Sequence, residues 1–237
     1  RRGRDGRLRQ GGGRQAGQAG RGSRGDRRGQ LRGDVRRRRP VRDQQDPQPF
    51  VAARYGDARE EIIGFIEAGM ESDQEMLSAA AELRLNYSGS DFVRQDRNAS
   101  ADAIEEFLDA AEQLEIDDLF AEGVDRSTNA AMSIAGVNVS VRPDVILKDK
   151  VTGEVKGAVK LHFSKTAPLS TKSREYSATA LRVYLEEEGH QHVDPKKCYV
   201  VDVPTQSVSH APKAFKRKMN DIEAACEEIA ARWTRNG

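Results

Sequence analysis

NVSVRPDVILKDKVTGEVKGAVKLHFS, residues 138–164, alternates apolar and polar side chains on both sides of a turn signal. The alternation predicts a strand over 138–147, with Val139, Val141, Pro143, Val145 and Leu147 on one face and Arg142, Asp144 and Ile146 on the other. Asp149-Lys150-Val151-Thr152-Gly153 has turn chemistry, so residues 154–164 should return as the antiparallel partner. There Val155, Val159, Leu161 and Phe163 share one face, and Glu154, Lys156, Ala158, Lys160, His162 and Ser164 share the other. A hairpin centred near Val151 sets Asp144 opposite Ala158, with Lys160 one pleat further. One face of rigid backbone then carries Arg142, Asp144, Lys160, His162 and Ser164, a carboxylate beside a lysine.

Working outward, Met132, Ile134 and Val137 suggest a strand before this pair. A helix opened by Ser170, Thr171 or Ser173 and running to about Glu188 follows it, with Ala180, Leu181, Tyr184 and Leu185 as its inner stripe. Residues 198–203, CYVVDV, form the unbroken apolar run of a central buried strand. After Pro212, the spacing of Phe215, Met219, Ile222, Cys226, Ile229 and Trp233 predicts a last helix whose whole stripe is core. Upstream, helical periods begin at Asp57 and at Ser72, and Ser100 is the expected N-cap of a helix carrying Ile104, Phe107, Leu108, Ala111 and Leu114. Residues 117–122 read as a short turn or helix.

The net charge of +1 is a cancellation. Residues 1–50 carry +11, residues 51–139 carry −14, residues 140–218 carry +6 and residues 219–237 carry −2. The first 50 residues hold 16 Arg, no Lys and 11 of the 21 Gly, too little apolar surface to offset ordering entropy, so disorder is expected. Two readings of that segment stand together: a basic arm that attracts phosphates, or a translated upstream stretch with the start near Phe50 or Val51. The acidic half, 51–139, would repel nucleic acid; residues 51–99 read as an acidic helical segment and 100–237 as the main domain. No run approaches ~18 apolar residues, which excludes a membrane span of that kind. Two cysteines, Cys198 and Cys226, in apolar patterns read as buried thiols of a reducing, cytoplasmic setting.

The order helix, three strands, helix, strand and further helix, with Arg142-Pro143-Asp144 on one strand and Gly157-Ala158-Val159-Lys160-Leu161 on the next, resembles the PD-(D/E)XK nuclease and phosphodiesterase superfamily over roughly residues 100–205. The resemblance implies an α/β (α+β) restriction-endonuclease-like α-β-β-β-α-β core, with extra N-terminal helices and a C-terminal helix. It also implies a metal-dependent phosphodiesterase acting on DNA, with Asp144 and a second carboxylate holding Mg²⁺ or Mn²⁺ and Lys160 beside the attacking water. The pattern departs at Ala158, where the family has Asp or Glu.

Three readings follow from that departure. Glu154 of Glu154-Val155-Lys156 could serve, although it lies about 13 Å of strand away. Glu175, in the first turn of the following helix, is the favoured second ligand and catalytic acid. Or the site is degenerate, and the fold binds nucleic acid or a protein. Arg142, Lys165, Lys172, Arg174 and Arg182 are the expected phosphate contacts, joined by Lys213, Lys216, Arg217 and Lys218, which crowd a helix N-terminus where the dipole disfavours cations. His162 reads as a structural strand residue, and His190-Gln191-His192 as a polar loop.

Overall fold

The computed structural model describes residues 54–85, 89–125, 127–128 and 130–234. The Arg/Gly-rich segment 1–50 lies outside them, as do residues 86–88 and Arg126. Three helices come first: α1 (Gly56–Glu67), α2 (Asp73–Leu85) and α3 (Asp91–Ala111). Strands β1 (Leu119–Gly123), β2 (Ala131–Ile134), β3 (Val137–Ser140), β4 (Val145–Asp149) and β5 (Val155–His162) follow. Then come α4 (Thr171–Glu187), β6 (Cys198–Asp202), β7 (Ser207–His210) and α5 (Lys216–Thr234).

The main sheet runs β1-β4-β5-β6-β7. Its pairs are antiparallel except β5 with β6, which are parallel and joined through α4. That connection explains why all five residues of β6 are buried: helices cover both faces of a parallel pair. On one face Val145, Leu147, Val159, Leu161 and Val201 pack with Ile62, Ile66, Ile104 and Phe107 of α1 and α3. On the other, Ala158, Cys198 and Val200 pack with Ala178, Leu181 and Leu185 of α4, the β2–β3 hairpin and Cys226 of α5. The fold is therefore mixed α/β, with one sheet between two helical layers.

Several expectations are corrected. The strand expected over 138–147 is two strands of different sheets, β3 and β4. Arg142 takes a positive φ of 41° and Pro143 offers no N–H, so the ladder cannot pass through them. β2 and β3 close on Ala135-Gly136, both at positive φ (48° and 77°), as a tight hairpin turn needs. The expected turn at 149–153 does form, its N–H groups at Val151 and Thr152 held by Asp149 Oδ1 at 2.9 and 2.8 Å.

A bulge at Leu147/Lys148 shifts the register, which pairs Val145 with Val159 and Ile146 with Ala158. Asp144 thus precedes a residue paired with Val159 and lies level with Lys160, not Ala158. Residues 119–123 are an edge strand rather than a turn or helix, with Leu119 and Ala121 inward. α3 starts at Asp91, where Ser90 Oγ accepts the Val93 N–H, so the expected boundary at 99/100 falls inside a helix. Ser100 is buried there, its hydroxyl unpartnered, and caps nothing. The stripe of α5 is core only in part: Cys226 is buried, but Ile229 and Trp233 are 39% and 46% exposed.

Candidate functional site

The bend between β3 and β4 delivers Asp144 to the end of the sheet where β5 finishes. Its backbone stays in the ladder, the N–H donating to Val159 O at 2.8 Å, while the side chain is buried. Oδ2 accepts the Leu161 N–H at 2.7 Å and lies 3.6 Å from Lys160 Nζ. Oδ1 accepts a hydrogen bond from Arg59 Nη1 of α1. The Arg59 guanidinium also sits 4.7 Å from the centre of the Phe163 ring, which stacks on Tyr55. Lys160 Nζ donates to Arg142 O at 2.6 Å, a carbonyl presented by the positive-φ bend. Burial pushes the Lys160 ammonium below its ordinary range; the Asp144 charge opposes that shift and the Arg59 charge adds to it.

Arg59, Asp144 and Lys160 line a cleft of about 160 Å³ together with Asp125, Thr128 and Arg142. Asp125 accepts the Ser127 N–H at 2.8 Å, a bond that holds its carboxyl below the usual carboxylate range. Arg59, Asp125 and Thr128 are functional candidates that the sequence reading missed. Arg59 does have a signal: it lies three, four and seven residues before Ile62, Ile63 and Ile66, a cation on the apolar stripe of an otherwise acidic helix. Nothing local marks Asp125 or Thr128, which arrive through the pairing of β1 with β4.

The structure brings Asp144, Lys160 and Arg142 together and leaves Glu175 elsewhere. Glu175 Oε2 accepts from Lys218 Nζ of α5 at 2.7 Å and does not line the Asp144 cleft. Glu154 pairs with Lys156 at the far turn, 2.9 Å apart. Among the expected phosphate contacts, four have structural work. Lys165 pairs with Glu106 at 3.0 Å and Asp102 at 3.6 Å on α3. Arg174 is buried, donating to Leu169 O at 2.6 Å and Ser209 Oγ at 3.0 Å. Arg182 binds Glu186 at 2.7 Å and stacks 4.2 Å from the Phe215 ring. Lys218 holds Glu175. Arg142, Lys172, Lys213, Lys216 and Arg217 are exposed. His162 Nε2 lies 2.9 Å from Ala167 O, a structural role.

The Mg²⁺ that the sequence resemblance implies asks for several hard oxygen ligands in octahedral array. Around Asp144 the neighbours are instead donors, namely two cations and a backbone N–H. Among the described residues no group of three or more His, Cys, Asp or Glu side chains is placed to hold a metal. The donor set does not fit the ion; it fits an anion. No family model matches this chain, and neither a curated protein nor a solved structure matches it.

Proposed function

We propose that this chain is a PD-(D/E)XK-like nucleic-acid-binding module whose catalytic centre is degenerate. One observation carries the reading: both oxygens of Asp144 are taken, by Arg59 on one side and by Leu161 N–H and Lys160 on the other. A carboxylate so neutralised serves to position two cations rather than to capture a third, divalent one. The PD-(D/E)XK assignment is supported by the succession α3, β1, β4, β5, α4, β6, in which two antiparallel pairs precede a parallel one and β2–β3 is an insertion. The nucleic-acid assignment is supported by the surplus of cations in the cleft and by the exposed Lys172, Lys213, Lys216 and Arg217.

Metal-dependent cleavage of DNA is the competing reading, favoured by the approach of Lys160 to Asp144 at 3.6 Å. Labelled single-stranded, double-stranded and branched DNA, incubated with the full chain in EDTA, Mg²⁺ or Mn²⁺, separates the two. The proposal expects binding in all three conditions and intact strands throughout. Metal-dependent cleavage that disappears in Lys160→Ala would establish the hydrolase instead, and no binding to any strand would remove the nucleic-acid reading.

A further inference from the structure

The cleft beside Asp144 is small and lined mainly by charged side chains. Three elements each contribute one cation: Arg59 from α1, Arg142 from the β3–β4 bend and Lys160 from β5. Asp144 fixes Arg59, and the Arg142 carbonyl fixes Lys160, so two of the three charged heads are held in place before any ligand arrives. Preorganised donors lose little freedom on binding. Against these three cations the wall carries two acids, Asp144 and Asp125, leaving a surplus positive charge of one.

The volume narrows the ligand. At about 160 Å³ the cleft lies well below the ~300 Å³ where sites for drug-sized molecules begin, and near the ~150 Å³ that admits a benzene-sized guest. That space is on the scale of a single phosphoryl group rather than a whole nucleoside. Donors converging from three elements suit a tetrahedral oxyanion better than a planar carboxylate, which one guanidinium satisfies in bidentate fashion. An internal phosphodiester carries a sugar on each side of the phosphoryl group, and both would crowd the mouth of so small a cleft. A terminal phosphate carries one, which can leave through the mouth past the exposed Arg142. Arg142 also adopts a positive φ, a costly backbone state for a non-glycine residue, at the point where its side chain joins the cleft.

We infer that this cleft binds the terminal phosphate monoester of a nucleic-acid strand, an inference that rests on the nucleic-acid reading above. The test is fluorescence anisotropy of the full chain with oligodeoxynucleotides of one sequence, unphosphorylated, 5′-phosphorylated or 3′-phosphorylated. A phosphorylated strand should bind about tenfold tighter than the bare one, and the two phosphorylated forms tell which end is read. In Arg142→Gln, whose side chain is exposed and whose fold is checked by thermal melting, that ratio should fall to about one. In the triple variant Lys213→Ala, Lys216→Ala, Arg217→Ala, all three affinities should drop together with the ratio kept. Equal wild-type affinity for the three strands, or a ratio untouched by Arg142→Gln, overturns the inference while leaving the binding module standing. No binding to any strand overturns the reading beneath it.

Discussion

Asp144 accepts hydrogen bonds on both oxygens, and its partners come from α1, β5 and the backbone of Leu161. Removing its charge strands two cations that are themselves mostly covered, with side chains 18% and 32% exposed. Asp144→Asn should therefore lose roughly 2–3 kcal/mol in urea unfolding. Arg59→Met should cost less, and the double variant less than the sum, because the second change removes a charge the first left unpaired. Additive losses would mean that the pair is not coupled. The alternation of 138–164 was enough to place Asp144 and Lys160 near each other. It could not reveal Arg59, whose partner lies 85 positions along the chain, nor the register, which depends on a bulge.

Gly157 shows how an element places the site. A Cβ at this position would run into the Lys197 carbonyl and side chain, where the short turn Pro195–Lys197 leads into β6. Gly157→Ala should push β6 from β5 and lose about 2–3 kcal/mol, read from the unfolding midpoint. A neutral effect would show that the turn yields. α2 is attached differently. It buries only Met76 and Ala80, and Arg84 ties it to α3 through Glu105 Oε2 at 2.8 Å and Asp102 at 2.9 Å. The Arg84 hydrogen bond holds the Glu105 carboxyl below its ordinary value of 4.5. Because that folded value is depressed, the contribution is complete above pH 4.5 and is lost as pH falls through the folded value. Arg84→Met should flatten the acid limb of the stability profile; an unchanged limb would assign it to other carboxylates.

The elements differ in how much local signal they carry. α4 and β6 could be read because a capping serine and an unbroken apolar run are strong local marks. β1 and β7 could not: neither has a run of strong apolar alternation or a flanking turn signal comparable to those around β4 and β5. Arg94 to Ser100 of α3 lack an apolar stripe, so its true start at Asp91 is marked only by the Ser90 cap and the Phe92-Val93 pair.

At the scale of the whole molecule, charge is divided along the chain. Residues 51–139, which include α1, α2 and α3, carry −14, and residues 140–218, which include β4, β5, α4 and β6, carry +6. A strand of nucleic acid would thus be repelled by the first stretch and drawn to the second. Every cation withdrawn from a phosphate should reduce the salt dependence of single-strand binding by about 0.7 in log–log slope, so neutralising Lys213, Lys216 and Arg217 together should lower the slope by about 2. An unchanged slope would put the binding surface elsewhere. Among the described residues no helix is long and apolar enough to cross a membrane.

The reading of the site as a degenerate centre depends on Asp144 being engaged by Arg59 and Lys160. Calorimetric titration of Mn²⁺ into the full chain asks that question directly. No saturable heat is predicted, in the wild type and in Asp144→Asn alike. Stoichiometric Mn²⁺ binding that Asp144→Asn abolishes would show that the carboxylate is a metal ligand after all, and that Arg59 gives way to the ion.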